Sequence, residues 1–233
     1  MNTLVLIHGW GTTGGIWQRQ VEAFRPKGVR VLAPTLAVWK LDFLINYFKE
    51  LNLAETCLAG WSLGGMLLLE ALCREGLAPA GWVLFATPAR FCQGPDFPLG
   101  QPPALVRGMR RALRDRAPEV LADFARRCLA PREAAWGEEM ADYFRPTADI
   151  PDLAAGLDYL LRSEVRPLLS RAPAGAVVIH GEEDPIVSPA QGEFLARNLP
   201  GARLCLLPGA GHAPFVTQAG RVHEFLLEII EGG

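Results

Sequence analysis

The chain has 233 residues, half of them hydrophobic, and a formal net charge of −2. That length suits one α/β domain with a single sizeable core, and the near-neutral balance offers no global field for nucleic acid or an anionic membrane surface. Five scattered cysteines, Cys57, Cys73, Cys92, Cys128 and Cys205, form no C-x-x-C pair. Reduced core thiols are therefore expected, which suits a cytoplasmic setting. Met1 leads within two residues into an apolar run, so no secretory signal peptide is expected. No apolar stretch approaches the length of a membrane span, and neither a zinc-ligand spacing nor a phosphate-loop motif occurs. The expectations are accordingly no metal, no cofactor, no nucleic acid, no membrane and a monomer.

In chain order, residues 3–7 read as a buried strand that ends in the turn His8-Gly9-Trp10-Gly11. A helix over 16–24 follows, with Trp17, Val21 and Phe24 on its apolar face, then a strand over 29–33 stopped by Pro34. Residues 41–51 form an amphipathic helix, with Phe43, Leu44, Tyr47 and Phe48 expected to face the core. Strands at 56–61, 82–86, 176–180 and 203–207 and helices at 63–74 and 222–230 complete the alternation. Continuous apolar strands joined by helices imply a mostly parallel sheet covered on both faces. Such sheets bind ligands beyond the carboxyl ends of their strands.

Residues 88–165 break the pattern. They open on a proline- and glycine-rich stretch and carry no strand signal, with helix candidates at 106–114, 118–128, 132–144 and 150–161. Pro118 and Pro131 fit first-turn positions, where the missing N–H is not needed. The expected domain plan is a core of 1–87 and 166–233 with a helical cap of 88–165 over the site. A separate helical domain is disfavoured because both ends return to one sheet.

The most specific motif is Gly60-Trp61-Ser62-Leu63-Gly64-Gly65, lying between a strand and a helix. A serine flanked by glycines at such a turn reads as a nucleophile elbow, with the hydroxyl standing free at the positive end of the helix. Serine needs a base to take its proton, and the base needs an acid to fix its tautomer. His212, in the small-residue loop Gly209-Ala210-Gly211-His212-Ala213-Pro214-Phe215, is the candidate base, and Asp184, just after the strand at 176–180, is the candidate acid. Glu182 and Glu183 read as solvated loop charges, either of which could substitute for Asp184 if the turn is shifted. His180 reads as structural at a strand end, His223 as lying on an exposed helix face, and His8 as bracing a loop. The amides of Trp10 and Leu63 are the candidate oxyanion donors.

In this order Ser, Asp, His the chain resembles the α/β-hydrolase family. Within it, the likeness is strongest to the carboxylesterases of biotin synthesis. It rests on His8-Gly9-Trp10-Gly11, on the elbow with tryptophan before the serine, and on Gly211-His212-Ala213-Pro214-Phe215. Gly156-Leu157-Asp158-Tyr159-Leu160-Leu161 with Val165-Arg166-Pro167-Leu168 adds to it. The resemblance implies an α/β-hydrolase fold and a serine esterase. Its substrate would be the methyl ester of a pimeloyl chain on acyl-carrier protein, with Trp10, Trp61, Leu63, Phe124 and Ile186 walling the acyl chain. Plain core packing explains Phe124 equally well.

The chain departs from the family in three places. It begins at the family's third strand, without the leading hairpin. The segment Ala33-Pro34-Thr35-Leu36-Ala37-Val38-Trp39 lacks the common Asp-x-Pro-Gly-x-Gly pattern. Where the family carries cap arginines toward the carrier protein, this chain loosely aligns Glu119, Asp123, Trp136 and Met140, and its basic residues gather at Arg107, Arg110, Arg111, Arg114, Arg116, Arg126 and Arg127. That patch fits an acidic carrier protein, or a solvated helix face. General small-ester esterases, carbon–carbon bond hydrolases and cofactor-free haloperoxidases share the same three residues, and a hydrolase-fold ligand receptor is the alternative outside catalysis.

Overall fold

The computed structural model of the chain describes residues 1–36, 39–144 and 149–232. The elements run β1 (Thr3–Ile7), α1 (Gln18–Phe24), β2 (Arg30–Leu32), α2 (Leu41–Lys49), β3 (Thr56–Trp61), α3 (Leu63–Glu75) and β4 (Gly81–Phe85). A helical insertion follows, α4 (Pro103–Arg127), α5 (Gly137–Tyr143) and α6 (Ile150–Arg162). The chain then returns through β5 (Val177–Gly181), α7 (Pro189–Asn198), β6 (Arg203–Leu207), α8 (Pro214–Thr217) and α9 (Ala219–Glu231).

The strands form one sheet in the order β2-β1-β3-β4-β5-β6, and every adjacent pair is parallel. Every residue of β1, β3 and β5 is buried, as expected of strands covered on both faces. One group of helices in mutual contact comprises α1, α8 and α9; the other joins α2 to α3, and α3 to α7 through the short turn Arg166–Arg171. The strand order reverses at β1, whose neighbours are β2 and β3. A crevice therefore opens between the ends of β1 and β3, where open α/β sheets hold their ligands. Register aligns those ends: Ile7 pairs with Gly60, Trp61 with Phe85, and Gly181 with Leu207. The loops bearing Trp10, Ser62, Asp184 and His212 thus leave the sheet at one rim.

Trp17, Trp61, Phe85 and Phe215 pack under that rim, with Trp17 and Phe215 stacked at 3.9 Å between ring centroids. Such aromatic contacts add to the large apolar area each ring buries, and they give the rim a rigid floor.

Several expectations need correction. In α2 the buried face is Leu44, Ile45 and Phe48, whereas Phe43 is 49% exposed and Tyr47 half-buried. At about 100° per residue, Phe43 falls nearly opposite the centre of the face that its three neighbours define. The helices expected at 106–114 and 118–128, by contrast, are both present, as the two arms of α4 on either side of a break at Arg116 (φ −142°, ψ 43°). Pro118 causes the break: it lacks an N–H and its ring clashes with the carbonyl four residues earlier, that of Arg114. The helix expected at 132–144 is a tight 3₁₀ stretch, Pro131–Trp136, followed by α5. Cys205 is half-buried rather than in the core, and all five cysteines are free. Of the segment after β2, Ala37 and Val38 lie outside the described residues. Among the described residues, no helix is long and apolar enough to cross a membrane.

Candidate active site

Ser62 occupies the turn between β3 and α3 with φ +53° and ψ −118°, a conformation that L residues rarely adopt. The turn is held by the Ser62 amide donating to the Phe85 carbonyl at 2.9 Å, and by the Met66 amide donating to the Ser62 carbonyl at 3.0 Å. The flanking glycines are required by space. A Cβ on Gly65 would lie 1.9 Å from the Thr87 hydroxyl, and one on Gly64 would lie 2.2 Å from the His8 carbonyl oxygen. Only bare backbone allows α3 to start this close to β1 and β4.

The sequence-predicted partners converge on this serine. His212 Nε2 lies 3.0 Å from Ser62 Oγ, and His212 Nδ1 lies 2.8 Å from Asp184 Oδ2. Nδ1 therefore carries the hydrogen toward the carboxylate, leaving Nε2 to accept from the serine hydroxyl. Asp184 Oδ1 accepts from the amides of Ile186 at 2.8 Å and Val187 at 2.9 Å, which fixes the carboxylate plane. Burial opposes ionisation of Asp184, but His212 and His180 beside it prevail and hold its carboxyl well below the usual range. Glu182 and Glu183 point to solvent, so neither replaces Asp184.

The Leu63 amide opens α3, where no intrahelical acceptor exists, and Trp10 sits in the turn after β1. Above lies an aromatic roof. The Trp10 indole donates to the Leu153 carbonyl at 2.8 Å and meets Phe124 edge-on at 5.1 Å; Phe124 and Phe144 are 5.7 Å apart. Phe124 also stands edge-on to the His212 ring at 6.5 Å. Ser62 is only 5% exposed beneath this roof.

Trp61 and Ile186 each make a hydrogen bond to one of the predicted catalytic residues. The Trp61 indole donates to the His212 carbonyl at 2.8 Å, and the Ile186 amide holds Asp184. The Trp61 contact depends on a neighbour distant in the chain, whereas the Ile186 contact lies within the turn that carries Asp184. The sequence reading missed that His180 shares the carboxylate: His180 Nε2 lies 3.2 Å from Asp184 Oδ2 and 2.9 Å from the Val187 carbonyl. Its four-residue spacing from Asp184 was the available signal. His223 is half-buried against Phe24 rather than exposed.

His8 braces a loop, as the sequence suggested. Its Nδ1 lies 2.9 Å from the Gly9 carbonyl and its Nε2 accepts from the Leu36 amide at 2.8 Å, an arrangement that needs the neutral ring. Burial lowers its pKa to about 4, the Gly9 carbonyl only partly offsetting this. Below pH 6.5 the unfolded chain takes up a proton here that the folded chain refuses, so stability falls with pH until about pH 4. The ring should contribute roughly 3 kcal/mol at neutral pH that is gone near the lower limit. Melting curves between pH 7.5 and 4.5 should show a steeper loss in the wild type than in His8→Gln. Parallel curves would contradict this assignment.

The chain matches the model of the "Alpha/beta hydrolase family" over residues 4–225. It is 31% identical, over 243 aligned positions, to a pimeloyl-[acyl-carrier protein] methyl ester esterase of Methylococcus capsulatus, covering 96% of this chain and 94% of that one. A protein of the same name from Aromatoleum aromaticum is 28% identical, covering 98% of both. Among solved structures, an esterase from Exiguobacterium antarcticum superposes with a TM-score of 0.89 at 18% identity, over 99% of this chain and 92% of that one. The enol-lactonase from Burkholderia xenovorans superposes with a TM-score of 0.80 at 23% identity, over 98% and 91%. At such identities these two establish the fold alone. With the serine turn, the parallel sheet and the family match in agreement, the chain belongs to the alpha/beta hydrolase family.

Proposed function

We propose that the protein is a serine carboxylesterase that hydrolyses the methyl ester of a pimeloyl chain carried on acyl-carrier protein. The observation that carries the chemistry is the unbroken hydrogen-bonded line from Ser62 through His212 to Asp184 at 3.0 and 2.8 Å. The relatives' shared name supports the substrate.

Ser62 Oγ attacks the ester carbonyl while His212 Nε2 takes its proton. The amides of Leu63 and Trp10 receive the oxyanion; one such donor is worth about 2.7–4 kcal/mol in the transition state. Collapse breaks the bond to the methoxy oxygen, and His212 returns the proton so that methanol leaves. His212 then deprotonates a water, which attacks the acyl-serine and releases the free carboxylate and Ser62. Asp184 holds the Nδ1 hydrogen throughout and stabilises the imidazolium.

In this reading residues 88–165 are a cap on a core of 1–87 and 166–233. Trp10, Trp61, Leu63, Phe124 and Ile186 surround the acyl chain. The ester, and afterward the water that frees the acyl group, reach Ser62 only when the aromatic roof parts.

The carrier protein is proposed to dock on the exposed basic edge of α4. Arg110 is already paired with Asp158 through contacts of 2.6 and 2.8 Å. Arg107 and Arg111 carry the remaining charge with Arg114, whose Nε lies 3.9 Å from Asp115 Oδ2, and Arg110, Arg111 and Arg114 line a crevice with the exposed Ile150 and with Ala154. Reversing Arg111 and Arg114 to glutamate should lower kcat/KM for the carrier-bound ester about tenfold and leave a nitrophenyl ester unchanged. Equal loss on both substrates would remove the docking surface. The substrate is tested by offering the carrier-bound pimeloyl methyl ester beside simple nitrophenyl esters. The carrier-bound ester should be turned over with the higher kcat/KM; no methanol release from it would reject the assignment while leaving the esterase chemistry standing.

A further inference from the structure

One buried acid outside the Ser62–His212–Asp184 line touches the histidine loop. Glu133 belongs to the 3₁₀ stretch Pro131–Trp136 of the helical insertion and is 5% exposed. Its Oε2 accepts from two amides at 2.9 Å each, that of Ala130 in its own turn and that of Gly211 across the interface. Gly211 immediately precedes His212, whose own amide donates to the Cys128 carbonyl at 2.8 Å. Both amides entering the imidazole thus end on residues of the insertion. The fit is close: a Cβ on Gly211 would lie 2.5 Å from the Cys128 oxygen and 2.8 Å from Glu133 Oε2.

Capping its own turn would explain only half of this. A capping acid reaches back to the one amide of its own N-cap. Glu133 is buried, its Oε1 has no partner among the described residues, and its bonded oxygen is shared with the core. Burying a carboxylate so incompletely satisfied opposes folding, and such a group calls for an explanation.

We propose that Glu133 is a positioning residue for His212: it anchors the Gly211 amide, sets the height of the imidazole over Ser62, and ties the insertion to the histidine loop. The proposal rests on His212 acting as the base for Ser62. Roof opening then occurs away from this junction, since moving Cys128 and Glu133 would carry His212 off the serine.

The test uses two substitutions in the full chain with a small nitrophenyl ester. Glu133→Asp keeps the charge but withdraws the acceptor by one methylene, and kcat should fall about tenfold or more with KM changed less than about twofold. Glu133→Gln keeps an oxygen at the same reach and should hold kcat within about threefold of wild type. Unchanged kcat in Glu133→Asp, or an equal loss in Glu133→Gln, would overturn the proposal; a fall in melting temperature with kcat intact would mark Glu133 as merely structural and overturn it too. Ser62→Ala run in parallel separates the two levels: wild-type turnover there would remove the serine–histidine reading itself.

Discussion

Ser62→Ala should lower kcat/KM by about 10⁵-fold or more on any ester while leaving the fold intact. Among the described residues, the hydroxyl is the hydrogen-bond partner of His212 Nε2 that can become the acyl carrier, at 3.0 Å. Its loss leaves the helix-end amides and bound substrate but no nucleophile. His212→Ala should cost a similar factor, and the double variant little more, because the two act as one unit. Alanine keeps the backbone burden, since φ +53° is as unfavourable for it as for serine. Ser62→Gly removes that burden and should be inactive yet more stable by about 1 kcal/mol. Thermal melts beside the assays check both parts; an active alanine variant, or a glycine variant less stable than wild type, would refute the corresponding argument.

Gly64→Ala should be a severely damaging single methyl next to the nucleophile. The added carbon would sit 2.2 Å from the His8 oxygen and 2.8 Å from the Ile7 oxygen. Both are backbone atoms, so no rotamer change relieves the contact. Relief requires α3 to slide from the end of β1, where Ile7 is in register with Gly60. That movement carries Ser62 from His212. A destabilisation of about 3 kcal/mol or more is expected, with kcat/KM down about 100-fold in whatever remains folded. Gly108 in α4 supplies the control, for nothing lies within 4 Å of its would-be Cβ. Gly108→Ala should stabilise by about 0.5–1 kcal/mol. Chemical denaturation of the two variants decides the matter, and equal small effects would refute the steric account.

What the sequence made legible follows from how local each cause is. The strands are short apolar runs between turn residues, and the burial of β1, β3 and β5 follows from that pattern alone. The serine turn is written in adjacent residues, and Asp184 and His212 each follow a recognisable strand. Their convergence is a property of parallel topology, which delivers every strand end to one rim. Other features depend on distant partners. Nothing local tells Trp61 that its indole will meet the His212 carbonyl, or Glu133 that the Gly211 amide will arrive beside it. Phe43 is a different failure: an aromatic residue among apolar neighbours reads as core, yet helical phase turns it outward. The break in α4 is legible, since Pro118 marks it locally and the helices expected at 106–114 and 118–128 lie on either side of it.

The acyl-enzyme is the most direct test of the central claim. Mixing the enzyme with excess carrier-bound methyl ester, quenching in acid within milliseconds and mapping the peptides by mass spectrometry should find the dicarboxylic acyl group on Ser62, with methanol released in a burst. In His212→Ala neither the adduct nor the burst should form. An acyl group on another side chain, or steady turnover with Ser62 never modified, would contradict the account.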